Sequence, residues 1–226
     1  MKILIVAATK SEVQPLINSM DEVSDENELF FEGKFKKLQI DFLITGIGMV
    51  ATAYYVGKVL NETYDGAFNI GICGSYNRNF EIGTVVNIYE DTFSEIGAED
   101  DEKFLSLDDL KLNGITKITN YKLQISNPVI GLLPKVTGIT VNTTHGNEDS
   151  IKKVFDRYSP YVESMEGAAF MFVCEQENIP YVQLRAVSNY VEKRNRENWK
   201  IPSAIENLNK KVIEILNSLF CNLPIN

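Results

Sequence analysis

Residues 1–13 read MKILIVAATKSEV. Residues 3–8 form an unbroken apolar run, the pattern of a strand covered on both faces. Residues 10–19 then place Val13, Leu16 and Ile17 on one side of a helix. A doubly covered strand feeding a one-sided helix is the opening of a layered α/β fold. The chain repeats that alternation. Strands are predicted at 29–35, 37–45, 65–72, 84–89 and 180–187, and helices at 49–60, 147–155, 168–174 and 203–220. Segment 168–174 is apolar on every side and predicts a buried helix. The last helix carries Ile205, Leu208, Val212, Ile215 and Leu216 along one stripe. Polar residues 21–28 predict a loop, and acidic, aperiodic residues 94–109 a long loop or lid. Residues 115–119, 129–132 and 135–141 predict short strands or loops. No repeat or linker interrupts the pattern, so the expectation is one three-layer α/β domain over residues 1–226.

Length and composition agree with that. The chain has 226 residues, 44% hydrophobic and 23% charged, against about 150 residues for a usual domain. The formal charge of −9 argues against nucleic acid or an anionic membrane surface as the main partner. A small-molecule ligand remains open. Cys73, Cys174 and Cys221 are far apart, no CxxC pair exists and His145 is the single histidine, so neither a disulfide scaffold nor a metal site is expected. No apolar run approaches the ~20 residues of a membrane span. No targeting segment is evident, and a reduced cytoplasmic setting is expected.

In layered α/β folds ligands bind where strands end. Five such places stand out. Glu12 follows the first strand, where it suits either the helix macrodipole or the work of a catalytic base. The segment Gly46-Ile47-Gly48-Met49-Val50-Ala51 follows a strand and opens a helix. It reads as a tight turn, as a backbone-amide cradle or, more weakly, as a dinucleotide fingerprint. In Val162-Glu163-Ser164-Met165-Glu166-Gly167, an acid opens an apolar helix. It is either a cap or a carboxylate aimed at vicinal sugar hydroxyls, with Met165 as an apolar wall. Asn189 ends the late strand as a turn residue or as a paired donor and acceptor for a purine edge. The run after it holds Arg194 and Arg196, either a solvated loop or a carboxylate-binding site. His145 is a loop residue or a ring that stacks on a flat ligand.

As an ordered set these segments resemble the purine nucleosidase and nucleoside phosphorylase superfamily, with methylthioadenosine/S-adenosylhomocysteine nucleosidase as a near pattern. The matching stretches are MKILIVAATKSEV, Thr45-Gly46-Ile47-Gly48-Met49-Val50-Ala51, Gly71-Ile72-Cys73-Gly74-Ser75, Met165-Glu166-Gly167-Ala168-Ala169 and Arg185-Ala186-Val187-Ser188-Asn189. The resemblance implies an α/β/α sandwich with a central mixed sheet. It also implies cleavage of an N-ribosidic bond without metal or organic cofactor, and a homodimer. Glu12 would activate water, Glu166 would bind the ribose hydroxyls with Met165 against the ring, and Gly74 and Ser75 would line the purine pocket. Backbone near Gly48 would help position the water. The chain departs from adenine-specific nucleosidases at Asn189, where they carry Asp. An amide donates to O6 and accepts from a protonated N7, which favours a 6-oxopurine. No Arg stands ready for phosphate in the N-terminal loop, so hydrolysis is favoured over phosphorolysis. This layout is similar to the futalosine hydrolase family of menaquinone biosynthesis, whose substrate carries a benzoate and would release hypoxanthine. Arg194 or Arg196 would then meet the benzoate. The alternatives are a methylthioadenosine/S-adenosylhomocysteine nucleosidase and a purine nucleoside phosphorylase.

Overall fold

A computed structural model describes residues 1–24 and 29–221; positions 25–28 of the expected 21–28 loop lie outside the described residues. Strand β1 (Lys2–Ala7) leads to α1 (Lys10–Ile17), a two-strand excursion β2 (Glu22–Val23) and β3 (Phe30–Phe35), and then β4 (Leu38–Ile44). Helix α2 (Met49–Val59) precedes β5 (Gly66–Ser75) and β6 (Val85–Phe93). The hairpin β7 (Gly97–Asp100) and β8 (Lys103–Ser106) follows, with β9 (Lys117–Thr119) and α3 (Pro128–Gly131). The rest is β10 (Lys135–Thr140), α4 (Glu148–Tyr158), β11 (Val162–Ser164), α5 (Gly167–Glu177), β12 (Tyr181–Tyr190), a 3-10 turn at Arg196–Asn198 and α6 (Ile201–Cys221).

The main sheet has ten strands in the order β11-β10-β6-β12-β5-β1-β4-β3-β2, with β9 beside β6. Its centre, β12-β5-β1-β4, is parallel, whereas β6 runs against β12 and β3 against β4, so the sheet is mixed. Side chains alternate across it. Ile3 and Ile5 pack on one face with Val13, Leu16, Leu208, Val212 and Leu216 of α1 and α6. Leu4 and Val6 pack on the other with Val56, Phe170, Met171 and Cys174 of α2 and α5. This is the three-layer α/β/α sandwich. Helix α5 is apolar all round because it lies between the sheet and α2, as its buried Ala168, Ala169, Phe170 and Cys174 show. No helix among the described residues is long and apolar enough to cross a membrane.

Two expectations are corrected. Residues 129–132 are not strand or simple loop but lie in and just after α3. Pro128 sits in its first turn, and the Asn127 side chain accepts from Val129 N–H and Ile130 N–H, which starts a helix irrespective of hydrophobic pattern. Residues 94–109 are not one long loop, since they contain the β7–β8 hairpin. Asp101 turns it with φ +55°, and the Arg157 guanidinium lies 3.8 Å from the Phe104 ring centre. Its strands pair by backbone with little core burial, so they left no periodicity to read.

The sheet also closes on itself. Besides pairing with β10, β11 runs antiparallel to the end of β5, which completes the circuit β5–β12–β6–β10–β11. Beneath that closure lies Asp91, fully buried. It accepts from Thr140 Oγ1 (3.0 Å) and Gln183 Nε2 (2.9 Å), and Thr140 Oγ1 in turn accepts from Ala168 N–H (2.7 Å) at the start of α5. Burial outweighs these bonds and pushes the Asp91 carboxyl up to about 6. The folded state therefore binds a proton that the unfolded chain has released between pH 3.8 and 6, and stability falls as pH rises through that window. Gln183 Oε1 beside it has no hydrogen-bond partner. Asp91→Asn removes the charge and keeps an oxygen to accept from Gln183 Nε2. Urea unfolding at pH 7.5 is expected to show a gain of about 1–3 kcal/mol, with none at pH 4. A loss at pH 7.5 would contradict this account.

Candidate active site

Helix α1 starts one residue beyond Thr9, and Glu12 closes its first turn. Glu12 Oε2 accepts from Thr9 N–H (3.0 Å) and Thr9 Oγ1 (2.9 Å), while Oε1 accepts from Ile72 N–H (3.2 Å) on β5. Glu12 is thus both the cap of its helix and a carboxylate anchored to the central strand. It is 8% exposed.

Glu166 stands immediately before α5 and is equally buried. Its Oε1 accepts from Gly48 N–H (3.1 Å). Gly48 has φ +100° and Gly46 φ +81°, conformations open to glycine, so the glycine turn delivers an amide to a protein carboxylate. That amide is then spent, which removes the main attraction of the dinucleotide reading. Burial raises the Glu166 carboxyl above its usual range, opposed by the Arg185 guanidinium and the Gly48 amide and assisted by Glu12.

Arg185 pairs with Glu166 and lies beside Glu12. It lies in the middle of β12, 1% exposed, with Nη2 3.8 Å from Glu166 Oε2 and donating to Asn69 Oδ1. Gly71, its register partner on β5, leaves the space it needs. A Cβ at Gly71 would come within 2.6 Å of Arg185 Nη1 and 2.9 Å of Glu12 Oε1. Sequence reasoning assigned Arg185 no role. The signal was present, because an arginine inside an apolar strand is rarely buried without a partner.

Asn189 lies just beyond a bulge in β12, where register passes from Val187–Cys73 to Asn189–Gly74. Its Nδ2 donates to the Tyr190 carbonyl (3.0 Å) and its Oδ1 accepts from Ser188 Oγ (2.8 Å). The carbonyl can only accept, which fixes the amide's orientation and leaves one N–H and one lone pair for a ligand. A Cβ at Gly74 would lie 2.9 Å from Val191 Cγ2, 3.4 Å from Asn189 Nδ2 and 3.5 Å from Glu163 Cγ, so the bare Gly74 lets these three side chains close over the strand end. Ser75 is 1% exposed and its hydroxyl donates to the Asn77 carbonyl (3.0 Å), which holds the strand end rather than presenting a donor.

Met165 and Gly48 share a groove of about 490 Å³ with Ile47, Val50, Tyr54 and Asn142. Arg194 and Arg196 are exposed, with guanidinium carbons 4.8 and 5.9 Å from the Trp199 ring centre. Arg194 is the nearer to the other loops, since its N–H donates to the Gly146 carbonyl (3.3 Å) and its Cβ would touch one on Gly146 (3.3 Å). Sequence reasoning also missed the joint setting of Glu163, His145 and Tyr76. Glu163 accepts from Tyr76 OH (2.7 Å), His145 N–H (2.9 Å) and His145 Nδ1 (2.7 Å).

Two buried carboxylates around a guanidinium, with an oriented amide farther along the same strand, can hold a polyhydroxyl ligand and polarise a water beside it. Several known proteins are similar to this chain. A futalosine hydrolase of Acidothermus cellulolyticus is 29% identical over 195 residues, 80% of this chain and 77% of that protein. One of Streptomyces coelicolor is 27% identical over 180 residues, 76% of each chain. The fold is shared with a 5′-methylthioadenosine/S-adenosylhomocysteine nucleosidase of Colwellia psychrerythraea solved with adenine. The TM-score is 0.84 at 19% identity, over 97% of this chain and 96% of that one. Residues 2–113, which carry Glu12, the glycine turn and the end of β5, match the family model described as the phosphorylase superfamily. The first half of the chain thus matches the phosphorylase superfamily, and the sandwich with its mixed sheet is the fold it shares with that nucleosidase.

Proposed function

We propose that this protein is an N-glycosyl hydrolase that cleaves the N-ribosidic bond of futalosine and releases hypoxanthine, a step of menaquinone biosynthesis. The observation that carries the reading is the buried Glu12–Arg185–Glu166 cluster, whose arginine lies on the strand that also carries the amide of Asn189. The names of the two curated relatives support the choice of futalosine.

Glu12 takes a proton from water, whose oxygen bonds to C1′ as the C1′–N9 bond breaks and its electron pair passes to the purine. Positive charge builds on the sugar, as in glycoside cleavage. Glu166 accepts from the ribose hydroxyls, and Arg185 offsets part of the repulsion between the two acids. Met165 lies against the sugar. The departing base takes a proton at N7 from solvent; the free N–H of Asn189 donates to O6, and its remaining lone pair accepts from that N7–H. Residues 1–226 act as one nucleosidase domain in the cytoplasm, a setting supported by three free cysteines. Exposed Ile47, Val50 and Tyr54 beside the Met165 groove support a second copy closing the sugar side of the site.

Chromatography of the products from inosine, adenosine, methylthioadenosine and futalosine, with and without phosphate, tests the reading. Release of hypoxanthine from futalosine without phosphate is expected. Turnover only with phosphate would make the protein a phosphorylase, and preference for methylthioadenosine would make it the other nucleosidase.

The arginines are tested separately. Arg194→Ala is expected to raise KM for futalosine about tenfold, a charge-assisted contact, with little change for inosine. Arg196→Ala, farther from residues 145–146, is expected to do less. Equal effects of Arg194→Ala on both substrates would refute the carboxylate contact.

A further inference from the structure

Asn69 sits in the middle of β5, 1% exposed, between Val6 of β1 and Gln183 of β12. It shares a strand face with Gly71, two residues on, whose register partner is Arg185. Its side chain reaches both neighbouring strands. Nδ2 donates to the Val6 carbonyl (3.1 Å), and Oδ1 accepts from Arg185 Nη2. A carbonyl can only accept, so the first bond fixes the amide and turns its oxygen to the guanidinium. The second is the one hydrogen bond of the Arg185 side chain among the described residues, and Nε of that side chain has no partner. A guanidinium with spare donors closes on a neighbouring carboxylate to about 2.7–2.9 Å. Arg185 does not. Its Nη2 stays 3.8 Å from Glu166 Oε2, within ion-pair range and beyond hydrogen-bond reach. The other oxygen of Glu166 is taken by the Gly48 amide (3.1 Å). An asparagine that only tied β5 to β1 would need the bond to Val6 alone; the bond to Nη2 restrains the arginine.

We propose that Asn69 is a positioning residue that holds Arg185 back from Glu166. The neutral amide fixes the guanidinium without taking its charge. Arg185 then offsets the charge of Glu166 from a distance and leaves Oε2 to a ribose hydroxyl. The proposal rests on the purine nucleosidase reading and deepens it. Two substitutions separate restraint from charge. Asn69→Leu, of similar size, removes the anchor, and Arg185 closes on Oε2. Asn69→Asp keeps an anchor but pairs with the guanidinium and spends its charge. The first should draw the Glu166 carboxyl down and the second push it up. Glu12 of α1 and the Gly48 amide before α2 also act on Glu166, and Asp91 of β6 and Cys73 of β5 also feel the Arg185 charge. All four stay in place in both variants.

The test follows the Glu166 carboxyl by ¹³C NMR titration of glutamate-labelled protein without substrate, with Glu166→Gln to assign the resonance. Asn69→Leu should move its midpoint to lower pH, and Asn69→Asp to higher pH. In kinetics, Asn69→Leu should raise KM for inosine about tenfold with kcat changed only a few-fold, because an acceptor for the ribose is occupied. Asn69→Asp should lower kcat/KM about tenfold more at pH 6 than at pH 8. Should Asn69→Leu fail to fold for want of a donor to Val6, Asn69→Ser takes its place. It draws the side chain back from Arg185 and keeps a hydroxyl donor, and the same downward movement is expected. A midpoint that stays put or rises when the anchor is removed overturns the proposal, and so does an unchanged KM. If the protein cleaves no purine nucleoside, the hydrolase reading fails, and the Glu166 midpoints, measured without turnover, still decide the role of Asn69.

Discussion

Glu12→Gln is expected to lower kcat for nucleoside hydrolysis by ~10²–10⁴ while KM changes only a few-fold, because general base catalysis supplies that much and the ribose is held by Glu166. The geometry allows the loss to be separated from unfolding. Glu12 offers one oxygen to Thr9 and the other to Ile72. Glutamine offers one acceptor for those two places, so a donor faces a donor and about 1 kcal/mol of stability goes with it. In a chain of this size that is a Tm change of roughly 2–4 °C. Product release and thermal unfolding measured on the same preparation decide the matter. A variant with near-normal kcat removes Glu12 from the chemistry, and one that is unfolded at assay temperature shows Glu12 to be chiefly a helix cap.

Asn189→Asp is expected to lower kcat/KM for 6-oxopurine nucleosides on the order of 10²-fold and to admit adenine nucleosides. Two causes act together. The donor to O6 is lost, and a carboxylate oxygen is set against the Tyr190 carbonyl that now accepts from Nδ2 at 3.0 Å. Protonation of the aspartate would relieve the second and supply what adenine N7 requires, so the gain for adenosine should grow at lower pH. Paired kcat/KM values for inosine and adenosine, at pH 6 and 8, test this. A wild-type protein that already prefers adenosine would sink the amide argument.

The parts of the site legible in the sequence lie next to their own strands. Glu12 follows an apolar run and closes a first turn, and Glu166 opens an apolar helix; both patterns are local. The glycine turn was legible as a backbone-amide cradle, but its occupant was not, because Glu166 reaches Gly48 from a distant element. Arg185 stands within a legible motif, but its role is not local, since it depends on Asn69 and Glu166. The β7–β8 hairpin was missed because backbone pairing alone holds it, and α3 because its capping asparagine outweighs the apolar pattern.

By itself the sequence determined the alternation of strands and helices, the buried helix α5 and the places where chemistry concentrates. Periodicity and capping act between near neighbours in the chain, so they survive in one dimension. Only the tertiary structure decided which side chains face one another. Strict alternation would set Ser188 opposite Gly74, and the bulge in β12 sets Asn189 there instead. Nothing near Glu163 in the chain brings it to Gly74 or to His145; pairing of β11 with β5 does the first, and its pairing with β10, which leads into the His145 loop, the second. Register between strands far apart in the chain is set by packing of the whole sheet, which no local window contains.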